Sequence, residues 1–203
     1  MIRNLLLAVC LTAGLSACST TQKTEGSGLL SVVTQNVLTI AGEAAVSQVD
    51  FSSIKSKGIQ IEMTGFVEEK NKGFLTNLVA SKAENAGALL VRLGKPDLIL
   101  EVVVNRAGND AGKSSVPILK ASRRTEATVD LTLTVRDPMT GQRISSQRVA
   151  ALSKYEQAKW VGLVDGKGQY FVRSASSEQQ IGGVASRVTE ELNNKSWTKV
   201  IAP

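Results

Sequence analysis

The segment Thr125–Arg136, TEATVDLTLTVR, alternates without a break. Ala127, Val129, Leu131, Leu133 and Val135 occupy one parity, and Thr128, Asp130, Thr132, Thr134 and Arg136 the other. A period of two is the side-chain repeat of a β-strand. One apolar and one wet face is the pattern of an antiparallel sheet covered on a single side. Asp137-Pro-Met-Thr-Gly141 follows, with proline at a turn's second position and glycine at its end. Gln142–Gln157 is then predicted to return as the partner strand.

Working upstream, a polar, glycine-bearing surface loop is expected over 108–122, preceded by strands at Leu98–Ala107 and Leu89–Leu93 around Gly94-Lys-Pro-Asp97. Phe74, Leu75, Leu78, Val79, Lys82, Ala83 and Ala86 share a helical face, and Gly87 is a natural stop. Ile59, Ile61, Met63 and Val67 carry strand periodicity. Leu29, Val33, Val37, Ile40 and Ala44 recur at helical spacing over Leu29–Val49. Downstream, Trp160–Val164 and Gln169–Arg173 flank Asp165-Gly-Lys-Gly168 as a smaller hairpin. Ser176 with Gln179 forms a capping box for a helix bearing Ile181, Val184, Ala185, Val188 and Leu192. Trp197–Ile201 is a short terminal strand or docked tail. This order predicts an α+β fold: a two-layer sandwich with a mostly antiparallel sheet and helices packed on one face, in a single domain over 29–203.

The N-terminus has a different character. Arg3 opens a short polar region, and an apolar run from Leu5 to Leu15 follows. That run is too short to span a bilayer, which takes about 20 apolar residues, and has the length of a signal-peptide core. It ends in Leu15-Ser16-Ala17-Cys18, which resembles the lipobox of bacterial lipoproteins. The resemblance implies a signal peptide over 1–17, cleavage before Cys18, and acylation of that cysteine's thiol and freed amine. Several acyl chains together anchor stably, whereas a single chain binds marginally. Ser19 in place of aspartate implies, by the family's sorting rule, the outer membrane of a diderm cell with the domain facing the periplasm. Residues 18–28 are then the lipidated cysteine and a flexible tether.

Composition narrows the chemistry. The 203 residues contain no histidine and two cysteines, Cys10 in the leader and Cys18 at the cut. No thiol is left for a disulfide or a nucleophile, and serine–histidine and cysteine–histidine catalysis are excluded together with nearly every zinc site. No cofactor or metal site is expected. The net charge of +6 is mild, and the basic residues are not interleaved with aromatic platforms, so a nucleic-acid partner is not expected.

Gly108–Ser114 has three residues between its glycines where a phosphate loop needs four. Ser52-Ser-Ile-Lys55 matches Ser-x-x-Lys but precedes a strand, without the companion motifs of penicillin-recognising enzymes. Glu68 and Glu69 lead into a helix, where acids suit the positive dipole end. Tyr155, Trp160, Tyr170, Phe171 and Arg173 gather around the second hairpin in a chain with few aromatics. Tyrosine, tryptophan and arginine are common interface anchors, so these five are the candidate partner-binding residues; filling the end of the core is the competing role.

The segment Ile59–Gln157 resembles in pattern the periplasmic domains of curli-secretion and flagellar outer-membrane lipoproteins, which share a strand–helix–strands order and a D-x-x-T-G turn, here Asp137–Gly141. Pore formation is not carried over, because 108–122 is short and lacks the alternating apolar residues of a membrane hairpin. The expectation is a non-catalytic, outer-membrane-anchored binding or assembly subunit of an envelope machine for secretion, a surface appendage or wall synthesis. Its partners would be membrane lipid through acylated Cys18 and envelope proteins, with homo-oligomerisation open. Alternatives are a wall- or lipid-acting hydrolase or transferase, and an oligomeric curli-type export channel.

Overall fold

The computed structural model describes residues 27–65, 67–116, 120–160, 168–178 and 187–201. Their elements run α1 (Ser27–Val46), a 3-10 turn (Ser52–Ile54), β1 (Gly58–Gly65), α2 (Glu69–Asn85), β2 (Leu89–Leu90), β3 (Leu98–Val116), β4 (Lys120–Arg136), β5 (Arg143–Trp160), β6 (Gln169–Glu178), α3 (Arg187–Asn194) and β7 (Thr198–Val200). The strands make one sheet in the order β2-β1-β3-β4-β5-β6-β7. β1 is parallel to β2 and β3, and all later pairs are antiparallel. The chain is an α+β fold with helices against a mostly antiparallel sheet.

Its core follows the alternation in TEATVDLTLTVR. Ala127, Val129, Leu131, Leu133 and Val135 are buried, and so are Leu100, Val102 and Val104 on β3 and Val149 and Ala151 on β5. α1 closes over them with Val37, Leu38, Ala41, Ala45 and Val46, while α2 adds Leu75, Val79 and Ala83. Polar groups tie α1 down. Buried Ser153 donates its hydroxyl to the Val37 carbonyl. At the helix's C-terminal end, the Gln147 amide donates to the Gln48 carbonyl and accepts from the Asp50 N–H, both at 2.9 Å.

The β4–β5 turn forms at Asp137–Gly141, as its residues require. The Asp137 carboxylate accepts the Met139 N–H at 2.7 Å and the Thr140 N–H at 3.2 Å, and Gly141 takes φ 68°. Those two backbone donors hold the Asp137 carboxyl below its ordinary value.

Several sequence expectations are corrected. Residues 108–116 and 120–122 are strand and not loop, and 117–119 lie outside the described residues. β3 and β4 remain paired from Ala107↔Val129 to Val116↔Lys120, and β5 follows as far as Lys120↔Trp160. The second hairpin is longer than expected, because β5 itself reaches Trp160 and pairs with β6 from Gln147↔Glu178 to Glu156↔Gln169; residues 161–167 lie outside the described set. The strand at Leu89–Leu93 shrinks to Leu89–Leu90, with Leu93 exposed. Ser176 caps no helix, since it pairs with Val149 inside β6. The helix downstream is described from Arg187, and Gln179, Ile181, Val184 and Ala185 lie outside the described residues. α1 and α2 share one face, whereas α3 sits on the other, where Leu192 meets Ala150 and Ala175 in a separate small cluster.

Where β1 ends, the sheet changes. Gly65 takes φ 116°, and a Cβ there would lie 2.3 Å from the Val104 carbonyl oxygen, so only glycine fits. Directly after Val104, β3 bulges at Asn105 before pairing resumes at Arg106↔Asp130. β1 stops and β3 continues. Past this point β3, β4 and β5 continue as a long ribbon, the blade.

Candidate functional site

The five candidate residues do not form one surface. Strand alternation puts Tyr155 and Tyr170 on the α1 face and Phe171 and Arg173 on the other. Tyr155 and Tyr170 are cross-strand partners with ring centroids 4.9 Å apart, tilted by 52°. Both pack against the main core, and Asn36 of α1 donates its amide to the Tyr170 hydroxyl at 3.2 Å. Gly168 lies directly beneath the Tyr155 ring, where a Cβ would overlap the phenol. This pair fixes α1 to the start of the hairpin.

Phe171 and Arg173 join a cluster that the sequence did not reveal. The Lys154 ammonium lies 4.4 Å from the Trp197 ring centre and 5.1 Å from that of Phe171. The Arg173 guanidinium stands 4.6 Å from the Trp197 ring and reaches the Asn193 carbonyl at 3.1 Å. Its Nε is buried and has no hydrogen-bond partner among the described residues. The cluster pins the chain after α3 to the sheet, so that β7 can pair with Tyr170–Val172 of β6. Trp197 was legible only as part of a tail, because nothing local in sequence links it to Lys154 or Arg173. Trp160 is the last residue of β5, and its side chain lies outside the described set.

A second polar arrangement lies where the blade begins. Arg148 donates through Nε to Asp130 at 3.0 Å and through a terminal nitrogen at 2.6 Å, a two-point contact with both side chains largely covered. The hydrogen bonds to Asp130, opposed by burial, hold the Arg148 guanidinium above its ordinary value. The bulged Asn105 donates to Asp130 at 3.0 Å and to Thr132 at 2.9 Å. Other acids on this sheet face also have cationic partners: Glu101 with Arg136, Asp110 with Arg106, Glu126 with Arg124 and Glu156 with Lys154. The face is laced with charge and balanced.

The remaining motifs take ordinary positions. Ser52 donates its hydroxyl to Asp50 at 3.0 Å in the 3-10 turn, and Lys55 is exposed. Gly108–Ser114 lies in β3. Glu68 precedes α2 and Glu69 opens it. Among the described residues, no three of His, Cys, Asp or Glu gather as a metal site, and no helix is long and apolar enough to cross a membrane. Cys18 lies outside the described residues.

The most distinctive surface is an edge. β1 accompanies β3 only as far as Gly65↔Val104. From Arg106 to Val116, β3 has β4 on one side and, among the described residues, no strand on the other. The sheet's outermost strands β2 and β7 are by contrast two and three residues long. Short edge strands limit unintended pairing, and a long bare edge is a template for another strand. Comparison with models of known protein families and with curated protein sequences finds no match.

Proposed function

We propose that this chain is an outer-membrane-anchored lipoprotein that serves as a non-catalytic binding or assembly subunit of a cell-envelope machine, in secretion, a surface appendage or wall synthesis. The observation that carries the reading is the bare β3 edge from Arg106 to Val116. Such an edge binds an extended segment by main-chain hydrogen bonds, with alternate side chains supplying selectivity. The lipid on Cys18 would confine the domain to a thin layer and raise its effective concentration toward partners in the same envelope.

The test is photo-cross-linking in cells from Asn109 on the edge, with exposed Met139 at the β4–β5 turn as control. A defined envelope protein captured from Asn109 and not from Met139 supports the reading. Equal capture from both positions, or none from either, overturns it. Cys18→Ala should move the protein out of the membrane fraction or leave it unprocessed; an unchanged membrane fraction would remove the anchor.

The long hairpins also favour a second reading, a homo-oligomeric export channel in which the edge pairs with another copy. Against it stand Asn105, Arg106, Asn109 and Asp110, all exposed where a barrel wall needs an apolar band. Native mass spectrometry of the detergent-extracted protein separates the two, since a channel appears as a large ring and an assembly subunit does not.

A further inference from the structure

Charge is matched along the blade, but not at the opposite end of the sheet, beside β2. There Lys55-Ser56-Lys57 runs next to Gly87–Leu89. The Ser56 N–H donates to the Gly87 carbonyl at 2.8 Å, and the Leu89 N–H to the Lys57 carbonyl at 2.9 Å. The connection over residues 91–97 returns to the same place. Its first residue, Val91, donates its N–H to the Ile59 carbonyl at 2.8 Å, and its last, Asp97, donates to the Gly58 carbonyl at 2.7 Å. The Asp97 carboxylate accepts the Gly58 N–H at 2.7 Å. Both segments are therefore clamped to the first residues of β1.

This clamped backbone presents Lys55, Lys57, Arg92 and Lys95, all exposed. None of the four is in an ion pair among the described residues. The acids of these connections are Asp97, which is turned onto Gly58, and Glu84 in the last turn of α2. Set among the cations are two exposed leucines, Leu89 at 65% and Leu93 at 94%. An apolar centre with a charged rim is the anatomy of a protein interface.

The patch also has a defined direction. β1 is parallel to β3, and β3–β4 and β4–β5 are antiparallel, so β1 and β5 begin at the same end of the sheet. Gln48 and Asp50, just past α1, meet Gln147 near the start of β5, whereas Asn36 meets Tyr170 further along. α1 thus ends toward the patch and starts away from it, and its 20 residues span about 30 Å. From Cys18 to Ser27 the chain reaches at most about 30 Å. Even at full stretch, a tether from Cys18 only reaches back along the helix, so the patch is presented away from the anchoring bilayer.

We propose that Lys55, Lys57, Leu89, Arg92, Leu93 and Lys95 form a docking surface for an acidic segment of a protein partner. This surface is separate from the β3 edge and rests on the lipoprotein reading only for its direction. The unpaired cations select negative charge and steer its approach. The leucines call for apolar side chains, which an anionic wall polymer does not supply. A second copy would bring the same cations against these, and like charges facing each other disfavour that pairing.

The experiment places the photo-cross-linker p-benzoylphenylalanine at Leu93 of the full-length protein in cells, with exposed Val32 on α1 as control. One protein captured from Leu93 and not from Val32, through a peptide of net negative charge that carries apolar residues, is the expected result. A synthetic copy of that peptide should bind the purified protein more weakly as salt is raised. Arg92→Glu with Lys95→Glu should cut capture about tenfold or more, with circular dichroism unchanged, and the charge-conserving Arg92→Lys with Lys95→Arg should retain it. No captured protein, equal capture from Val32, a neutral or basic captured peptide, capture indifferent to the charge reversal, or an adduct that is lipid or muramidase-sensitive wall polymer would each overturn the proposal. Capture from Asn109 without capture from Leu93 overturns it and leaves the β3-edge reading standing. Capture from Leu93 alone does the reverse.

Discussion

The root of the sheet and its blade are built from the same strands by different physics. In the root, Leu100, Val102, Val129, Leu131 and Val149 are buried beneath α1 and α2, so apolar burial holds the strands together. Along the blade, ladder pairing continues while the side chains that line it include Arg106, Asp110, Arg124 and Glu126. Backbone hydrogen bonds and surface ion pairs replace the core there. A strand that is firmly seated at one end can thus carry a polar extension outward, provided its neighbours extend with it.

Substitutions in the root, at the seam and on the blade probe that contrast. Leu131→Ala, in the root, removes a fully buried side chain and should cost about 2–5 kcal/mol in urea unfolding. A loss under about 1 kcal/mol would mean that the root is not the stabilising half. Asp130→Ala, at the seam, removes the two-point contact made by the largely covered Arg148 guanidinium and should cost about 1.5–3 kcal/mol. The companion Arg148→Met in the Asp130→Ala background should recover part of that loss; no recovery would show that the pair is not the source. Arg124→Gln, on the blade, breaks an exposed ion pair and should change stability by no more than about 1 kcal/mol. A large effect there would show that charge pairing, and not the ladder, holds the blade.

The same contrast decides what could be read from sequence. Alternation in Thr125–Arg136 and the Asp137–Gly141 turn located the central hairpin, and helical spacing located α1 and α2, because apolar periodicity is a direct imprint of burial. Gly108, Gly112, Ser114 and Ser115 leave no such imprint. Their strand conformation is inherited from β4 alongside, a pairing that lies between distant residues and has no local signature. Ser176 and Gln179 matched a helix start, yet the ladder partner Val149 prevailed over that local preference at Ser176. Of the candidate residues, the aromatic cluster was visible by composition. Its division between two faces, and the part played by Lys154 and Trp197, depend on β5–β6 register and on the chain's return after α3.

The bulge at Asn105 has a consequence for how this protein tolerates change. Before it, the even-numbered Leu100, Val102 and Val104 face the helices; after it, the odd-numbered Ala107 lies on their side, opposite Val129. One surplus residue absorbs the change of parity. Deleting Asn105 would therefore leave every later residue of β3 with its present partner, at the cost of the contacts to Asp130 and Thr132. The seam works as a joint between two modules: the blade can be lengthened or shortened in evolution by matched residue pairs while the folded root behind it stays as it is.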